Sequence, residues 1–123
     1  MTSDNETQQR IQELQILEHN LQNILMQKQA FQLELNETLN ALEEVKKTSD
    51  SIYKILGSIM IKTDKQKISS ELENKKKILE LRLQTLERQE KLLESKAKEI
   101  QEKAQKAMRC DLEAAREFLD YLK

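Results

Sequence analysis

Aromatic residues make up only 3% of this sequence, which has no tryptophan, no proline and a single glycine. So few bulky apolar residues exclude a conventional globular core. Apolar surface must instead be buried along narrow seams between helices. One glycine excludes a glycine-rich phosphate-binding loop. The lone cysteine, Cys110, excludes an internal disulfide, fits a reducing compartment and reads as a small residue on a helix near the C-terminus. The lone histidine, His19, excludes histidine-based metal clusters and catalytic dyads, and reads as a solvated helix residue. Apolar runs fall far short of the ~20 residues that span a bilayer. The polar stretch Met1–Gln9 lacks the apolar core of a signal peptide. Lys and Arg number 21 against 22 Asp and Glu, a net charge of −1, with no basic stripe of a DNA-binding footprint and no acidic solvating tail. These absences predict a soluble, cytoplasmic protein with no cofactor, no metal, no catalytic residue, and neither nucleic acid nor membrane as partner.

Charged residues make up 35% of the chain, and Leu, Glu, Lys and Gln dominate, the profile of long helices and coiled coils. Carboxylates, as around Glu90, Glu94 and Lys98, stand at helix-surface spacings that suit ion pairs. Apolar residues recur at alternating spacings of three and four in two segments. The first seam reads Leu14, Leu17, Leu21, Ile24, Lys28, Phe31, Leu35, Thr38, Leu42 and Val45. Ile11, Leu25 and Leu39 widen it on one side, as expected where a helix meets more than one neighbour or exposes a binding face. The second seam reads Leu72, Lys76, Leu79, Leu83, Leu86, Glu90, Leu93, Ala97, Ile100, Ala104 and Ala107. Such spacing keeps the same residues facing one partner helix. Lys76 and Glu90 interrupt the second seam and are expected to snorkel to water. Each segment would be about 60–65 Å long at 1.5 Å rise per residue. A short connection makes neighbouring helices antiparallel, so near-equal lengths predict pairing from end to end.

Between the seams lies Ser51-Ile52-Tyr53-Lys54-Ile55-Leu56-Gly57-Ser58-Ile59-Met60-Ile61-Lys62-Thr63. It is rich in isoleucine, and the chain's only glycine sits in its middle. Gly-Ser between two apolar runs suits a type II′ turn, whose first central position needs positive φ. The segment therefore reads as a β-hairpin, with strands over Ile52–Leu56 and Ile59–Lys62. Thr48-Ser49-Asp50 breaks the first helix, and Asp64 caps the second. A lone hairpin is marginal in water, has two open edges and here carries apolar side chains on both faces. Hairpins from several subunits closing into a barrel would remove the edges. Ile52, Tyr53, Ile55, Leu56, Gly57, Ile59, Met60 and Ile61 are the expected oligomerisation residues.

The segment Tyr53–Lys62 resembles the hairpin of prefoldin β subunits: an aromatic, a lysine, two residues, glycine, then an apolar run ending in lysine. Leu81–Lys91 is similar to the second-helix stretch of the archaeal-type members. Gln27-Lys28-Gln29 with Gln32-Leu33-Glu34-Leu35 is similar to their first helix. The likeness covers roughly residues 11–108, and room for one hairpin rather than two points to the β type. It implies a mainly α fold, an antiparallel two-helix coiled coil joined by a β-hairpin. One domain over 1–123 is expected, with helices over 9–48 and 64–109, the hairpin over 52–62, and a C-terminal helical extension or tail over 110–123. The resemblance further implies a hexamer with two α and four β subunits, whose hairpins form barrels. Such a hexamer is an ATP-independent holdase that grips unfolded polypeptides at the coiled-coil tips and delivers them to a group II chaperonin.

The tail departs from the family in carrying an apolar stripe, Leu112, Ala115, Phe118, Leu119, Tyr121 and Leu122. At the open ends, alanines of the second seam would cover little of the Leu and Ile surface facing them. Client contact is accordingly expected at Ile11, Leu14, Leu17, Ile100, Met108, Phe118 and Leu119, methionine being adaptable to varied partners. The competing readings are a structural coiled-coil scaffold, and a homo-oligomeric prefoldin-like protein.

Overall fold

A computed structural model describes residues 2–122; the side chains of Thr2, Ser3, Asp4, Ala114, Ala115 and Phe118 lie outside the described residues. Helix α1 (Thr2–Lys47) is followed by strands β1 (Ile52–Leu56) and β2 (Ile59–Thr63) and by helix α2 (Lys65–Leu122). This is the mainly α architecture that the two heptad segments and the glycine-centred interruption predict. Helix α1 begins at Thr2 rather than near residue 9, and α2 runs through Cys110 to Leu122 without a break, the helical extension being one of the two forms expected for 110–123. Those stretches lack a seam with the opposite helix, but they also lack the Gly or Pro that would stop a helix. The tail is therefore an extension of the second helix rather than a separate one.

The chain divides into two compact units, Leu25–Glu87 and Met1–Ile24 with Arg88–Lys123. In the first, the hairpin unit, Phe31, Leu35, Thr38, Leu42 and Val45 of α1 and Leu72, Lys76, Leu79, Leu83 and Leu86 of α2 are buried or half-buried, the residues that heptad spacing selects. Arg82 lies over the Phe31 ring, 5.5 Å from its centroid, and Lys65 reaches the end of α1 at Lys46. Positions thus fall on α1 as they rise on α2, so the helices run antiparallel. Leu79 is the most enclosed side chain, only 2% exposed. Thr38 is buried among leucines, and its hydroxyl donates to the Glu34 carbonyl at 2.8 Å, so no polar group is stranded. Lys76 has no partner among the described residues and is half-buried, its stem on the seam and its ammonium reaching water.

The neck of the hairpin is fixed by caps. Thr48 donates its N–H and its hydroxyl to the Glu44 carbonyl, at 3.0 and 2.7 Å. The Lys65 ammonium, at the first position of α2, donates to the Lys46 carbonyl at 3.0 Å. It thereby brings a positive charge to the negative end of α1. Asp64 Oδ1 accepts the Lys67 N–H at 2.7 Å, the N-cap geometry. Strand pairing is antiparallel, from Ile52 opposite Thr63 to Leu56 opposite Ile59. Gly57 has φ of 60°, and no other described residue has positive φ, which selects type II′ over type I′.

In the second, terminal unit, Leu14, Leu17, Leu21 and Ile24 of α1 are buried or half-buried, as are Leu93, Ala97, Ile100, Ala104 and Ala107 of α2. Arg10 and Glu13 line a groove with Ile100 and Lys103, again an antiparallel pairing. Another groove sets Ile16 and Leu17 beside Lys96, so positions rise on α1 as they fall on α2; α1 is then exhausted near Cys110, and α2 continues past it with Leu112, Leu119, Tyr121 and Leu122 exposed.

Among the described residues only Ile24, Leu35, Leu42, Leu79 and Leu86 are fully buried apolar side chains, so the seam is one layer thick. Each such side chain matters. Leu79→Ala is expected to destabilise the chain by about 2–5 kcal/mol, while Ile78→Ala on the exposed face changes it by less than about 0.5 kcal/mol, both read from urea unfolding followed by helical circular dichroism. A Cβ at Gly57 would meet nothing within 4 Å. Gly57→Ala should therefore act through the turn conformation alone, weakening the hairpin by about 1–2 kcal/mol without loss of helical signal; amide-exchange protection of β1 and β2 measures it.

Candidate functional site

The two faces of the hairpin differ. One carries Tyr53 and Ile55 opposite Lys62 and Met60. Tyr53, Ile55 and Met60 are 52%, 69% and 65% exposed. The other face carries Ile52, Lys54 and Leu56 opposite Thr63, Ile61 and Ile59. Its base is half-buried at Ile52, Lys54 and Thr63, whereas Leu56, Ile59 and Ile61, toward the turn, are exposed. Lys54 Nζ meets Glu71 Oε2 of α2 at 2.7 Å, directing this face toward the helix. With both partners well exposed, that ion pair orients more than it stabilises. The sheet has two strands, so both outer edges are open. The predicted hairpin residues are thus divided between two faces, Tyr53, Ile55 and Met60 on one and Ile52, Leu56, Ile59 and Ile61 on the other, with Gly57 at the turn.

The predicted client-contact residues separate into two sets. Leu14, Leu17 and Ile100 are half-buried at seam positions of the terminal unit. Ile11, Met108 and Leu119 are exposed. The Phe118 side chain lies outside the described residues. A groove of about 340 Å³ combines Ile16, Leu17 and Ile100 with the charged Glu13, Lys96 and Lys103. Lys103 pairs with Glu99 across one helical turn at 3.4 Å. Ile16, 62% exposed, also lines a second groove with Gln12, Gln15 and His19. Sequence reasoning missed Ile16 because it falls outside the heptad positions; an isoleucine on a face otherwise made of Gln, Glu and His was the available signal.

Among the described residues no group of three or more His, Cys, Asp or Glu could hold a metal ion. No helix is long and apolar enough to cross a membrane.

Residues 8–109 match the family model described as prefoldin subunit. The chain is 44% identical to prefoldin subunit beta of Thermococcus onnurineus over 73 residues, covering 58% of this chain and 63% of that one. It is 37% identical to the corresponding subunit of Sulfurisphaera tokodaii over 79 residues, 63% of each chain. The chain thus spans less than two thirds of the length of these relatives. The crystal structure of the prefoldin beta subunit from Thermococcus strain KS-1 superposes with a TM-score of 0.80 at 40% identity, over 85% of this chain and 93% of that one. The beta2 subunit of the same strain gives 0.64 at 18% identity, covering 70% and 94%, a likeness of fold.

Because Ile55 and Met60 touch so little of their own chain, Ile55→Ser with Met60→Ser is expected to leave helical content and unfolding midpoint unchanged. Association with other subunits should be lost, as measured by sedimentation velocity. A fall in helical content instead would mean that the pair holds its own chain together.

Proposed function

The chain belongs to the prefoldin subunit family, and we propose that it acts as a β-type subunit of a hexamer with two α and four β subunits. On this reading the complex is an ATP-independent chaperone of the cytoplasm. It holds unfolded polypeptides at the open ends of the paired helices and passes them to a group II chaperonin. The observation that carries the reading is the hairpin: a two-stranded sheet, apolar on both faces, left open at both edges and set between two long helices. A protein built only as a coiled-coil scaffold has no need of such a segment. Hairpins of neighbouring subunits supply the missing strands and exclude water from Tyr53, Ile55 and Met60.

Client holding is supported by the terminal unit. Unfolded chains offer scattered apolar side chains without fixed geometry, so a holdase needs apolar surface that is accessible and tolerant of shape. Ile11, Ile16, Met108, Leu112 and Leu119 are exposed on long helices whose other residues keep the chain charged and dispersed. Leu14, Leu17 and Ile100 become available where the alanine-lined seam opens, since helix ends open at low free-energy cost.

The test is light scattering from a guanidinium-denatured protein diluted into buffer without ATP, with and without the chain reconstituted with its α-type partner. The complex is expected to suppress aggregation at near-stoichiometric amounts. Ile11→Ser, Ile16→Ser, Met108→Ser and Leu119→Ser combined should reduce that suppression several-fold while the hexamer mass stays the same. Full suppression by the intact variant complex would remove the terminal unit as the client site.

A further inference from the structure

The end of α2 carries an apolar stripe of its own, and we propose that it pairs with the same stripe on a second copy of this chain, the two helices running parallel. Past Cys110 α1 offers no partner, and Met108, Leu112, Leu119 and Leu122 are 68%, 66%, 60% and 67% exposed. With Ala115 they recur at spacings of four, three, four and three, the a and d pattern of a coiled coil. This stripe is not a remnant of the intrachain seam. Carried on from Ala107, that seam would pass through Asp111, Ala114, Phe118 and Tyr121. Each stripe residue lies one position later, about 100° further round the helix at 3.6 residues per turn. The stripe is therefore set for a different neighbour.

Apolar burial supplies attraction without choosing a partner, and the flanking charges make the choice. In this register Arg109 and Arg116 take e positions and Asp111 takes a g position. In a parallel pair a g residue meets the following e residue of the other helix, and such contacts set partner and orientation. Asp111 of each copy then meets Arg116 of the other, so the surface is complementary to itself. Both side chains are exposed, and neither has a partner among the described residues. In an antiparallel pair e faces e, which sets Arg116 against Arg116.

A stripe of about two heptads is too short to associate strongly alone. Pairing needs the hub that raises the local concentration of copies, and in this it rests on the assembly proposed above. Met108, Leu112 and Leu119 also belong to the client surface of that reading. Pairing keeps them covered until a client takes the place of the second copy.

The test is oxidative cross-linking of the full-length chain reconstituted with its α-type subunit, with the mass of the assembly measured on the same samples. Native Cys110 is exposed, at an f position away from the stripe, and gives the rate of chance collision. Leu112→Cys in a Cys110→Ser background is expected to link two copies about tenfold faster, because a disulfide needs Cβ atoms about 3.5–4.5 Å apart. Asp111→Arg should remove that advantage, and Asp111→Arg combined with Arg116→Asp should restore it, which a merely damaged helix would not do. Denatured client added before the oxidant should slow the link several-fold. In an assembly of full mass, linking no faster than Cys110, or no rescue by the exchanged charges, would overturn the pairing. Preferential linking of Leu112→Cys to Leu122→Cys in mixed chains would overturn the parallel orientation. A rate unchanged by client would overturn the displacement. A chain that stays monomeric beside the α-type subunit would overturn the hub, and this pairing with it.

Discussion

A two-stranded sheet that the described residues leave largely exposed is the constraint on which the rest of this molecule depends. Two strands in water are marginal on their own, and the exposure of Ile55 and Met60 shows that α1 and α2 do not relieve that. What the chain does supply is a rigid neck. Asp64 caps α2, Lys65 caps α1, and Lys54 reaches Glu71. Each contact is exposed; the Lys54–Glu71 ion pair is worth little alone, while the Asp64 cap contributes about 1 kcal/mol. Their common effect is to fix the direction in which the strands leave the helices, so the hairpin is ordered before anything covers it. Ordering the free chain lowers the entropy that association must remove.

The seam explains how a chain with so few bulky apolar residues holds its helices together. One layer of leucines buries enough to hold two helices together, and lysine, glutamate and glutamine elsewhere keep the outside dispersed. The seam is not uniform. In the hairpin unit Leu35, Leu42, Leu79 and Leu86 are buried, whereas in the terminal unit Leu14, Leu17, Ala97, Ile100, Ala104 and Ala107 are only half-buried, and three of those six are alanines. Fewer buried methylenes mean a lower free energy of local opening.

Much of this was legible in the sequence because the deciding signals are local. Every residue assigned to a seam by three-and-four spacing is buried or half-buried, from Leu14 to Val45 and from Leu72 to Ala107. Gly57 marked the turn because only its type of residue fits positive φ there, and Asp64 marked a helix start because its carboxylate has one obvious donor to satisfy. The helix ends were harder. Residues 2–8 carry no seam periodicity, and the apolar stripe from Leu112 to Leu122 left open whether it extends the second helix or forms a separate one; in both stretches propensity continues a helix already nucleated. Contacts between residues distant in sequence were not legible at all. Lys54 with Glu71 and Lys65 with the Lys46 carbonyl need the fold before either partner can be named.

The two apolar surfaces meet opposite demands, and their backbone states account for it. Hairpin edges present directional donors and acceptors at fixed spacing, with side chains of defined size beside them. Such a surface rewards one partner in one register and penalises others through unpaired backbone groups. Away from its ends a helix has no free backbone groups, so Ile16 in its groove, or Leu112 on α2, can attract only through undirected burial of apolar area. That attraction is weak per contact, indifferent to the sequence it meets and readily reversed. On the proposed function, joining particular sisters for long periods and holding arbitrary chains briefly calls for both kinds of surface. Keeping directional bonding in residues 52–63 and undirected contact on the helices lets one be tuned by substitution without altering the other.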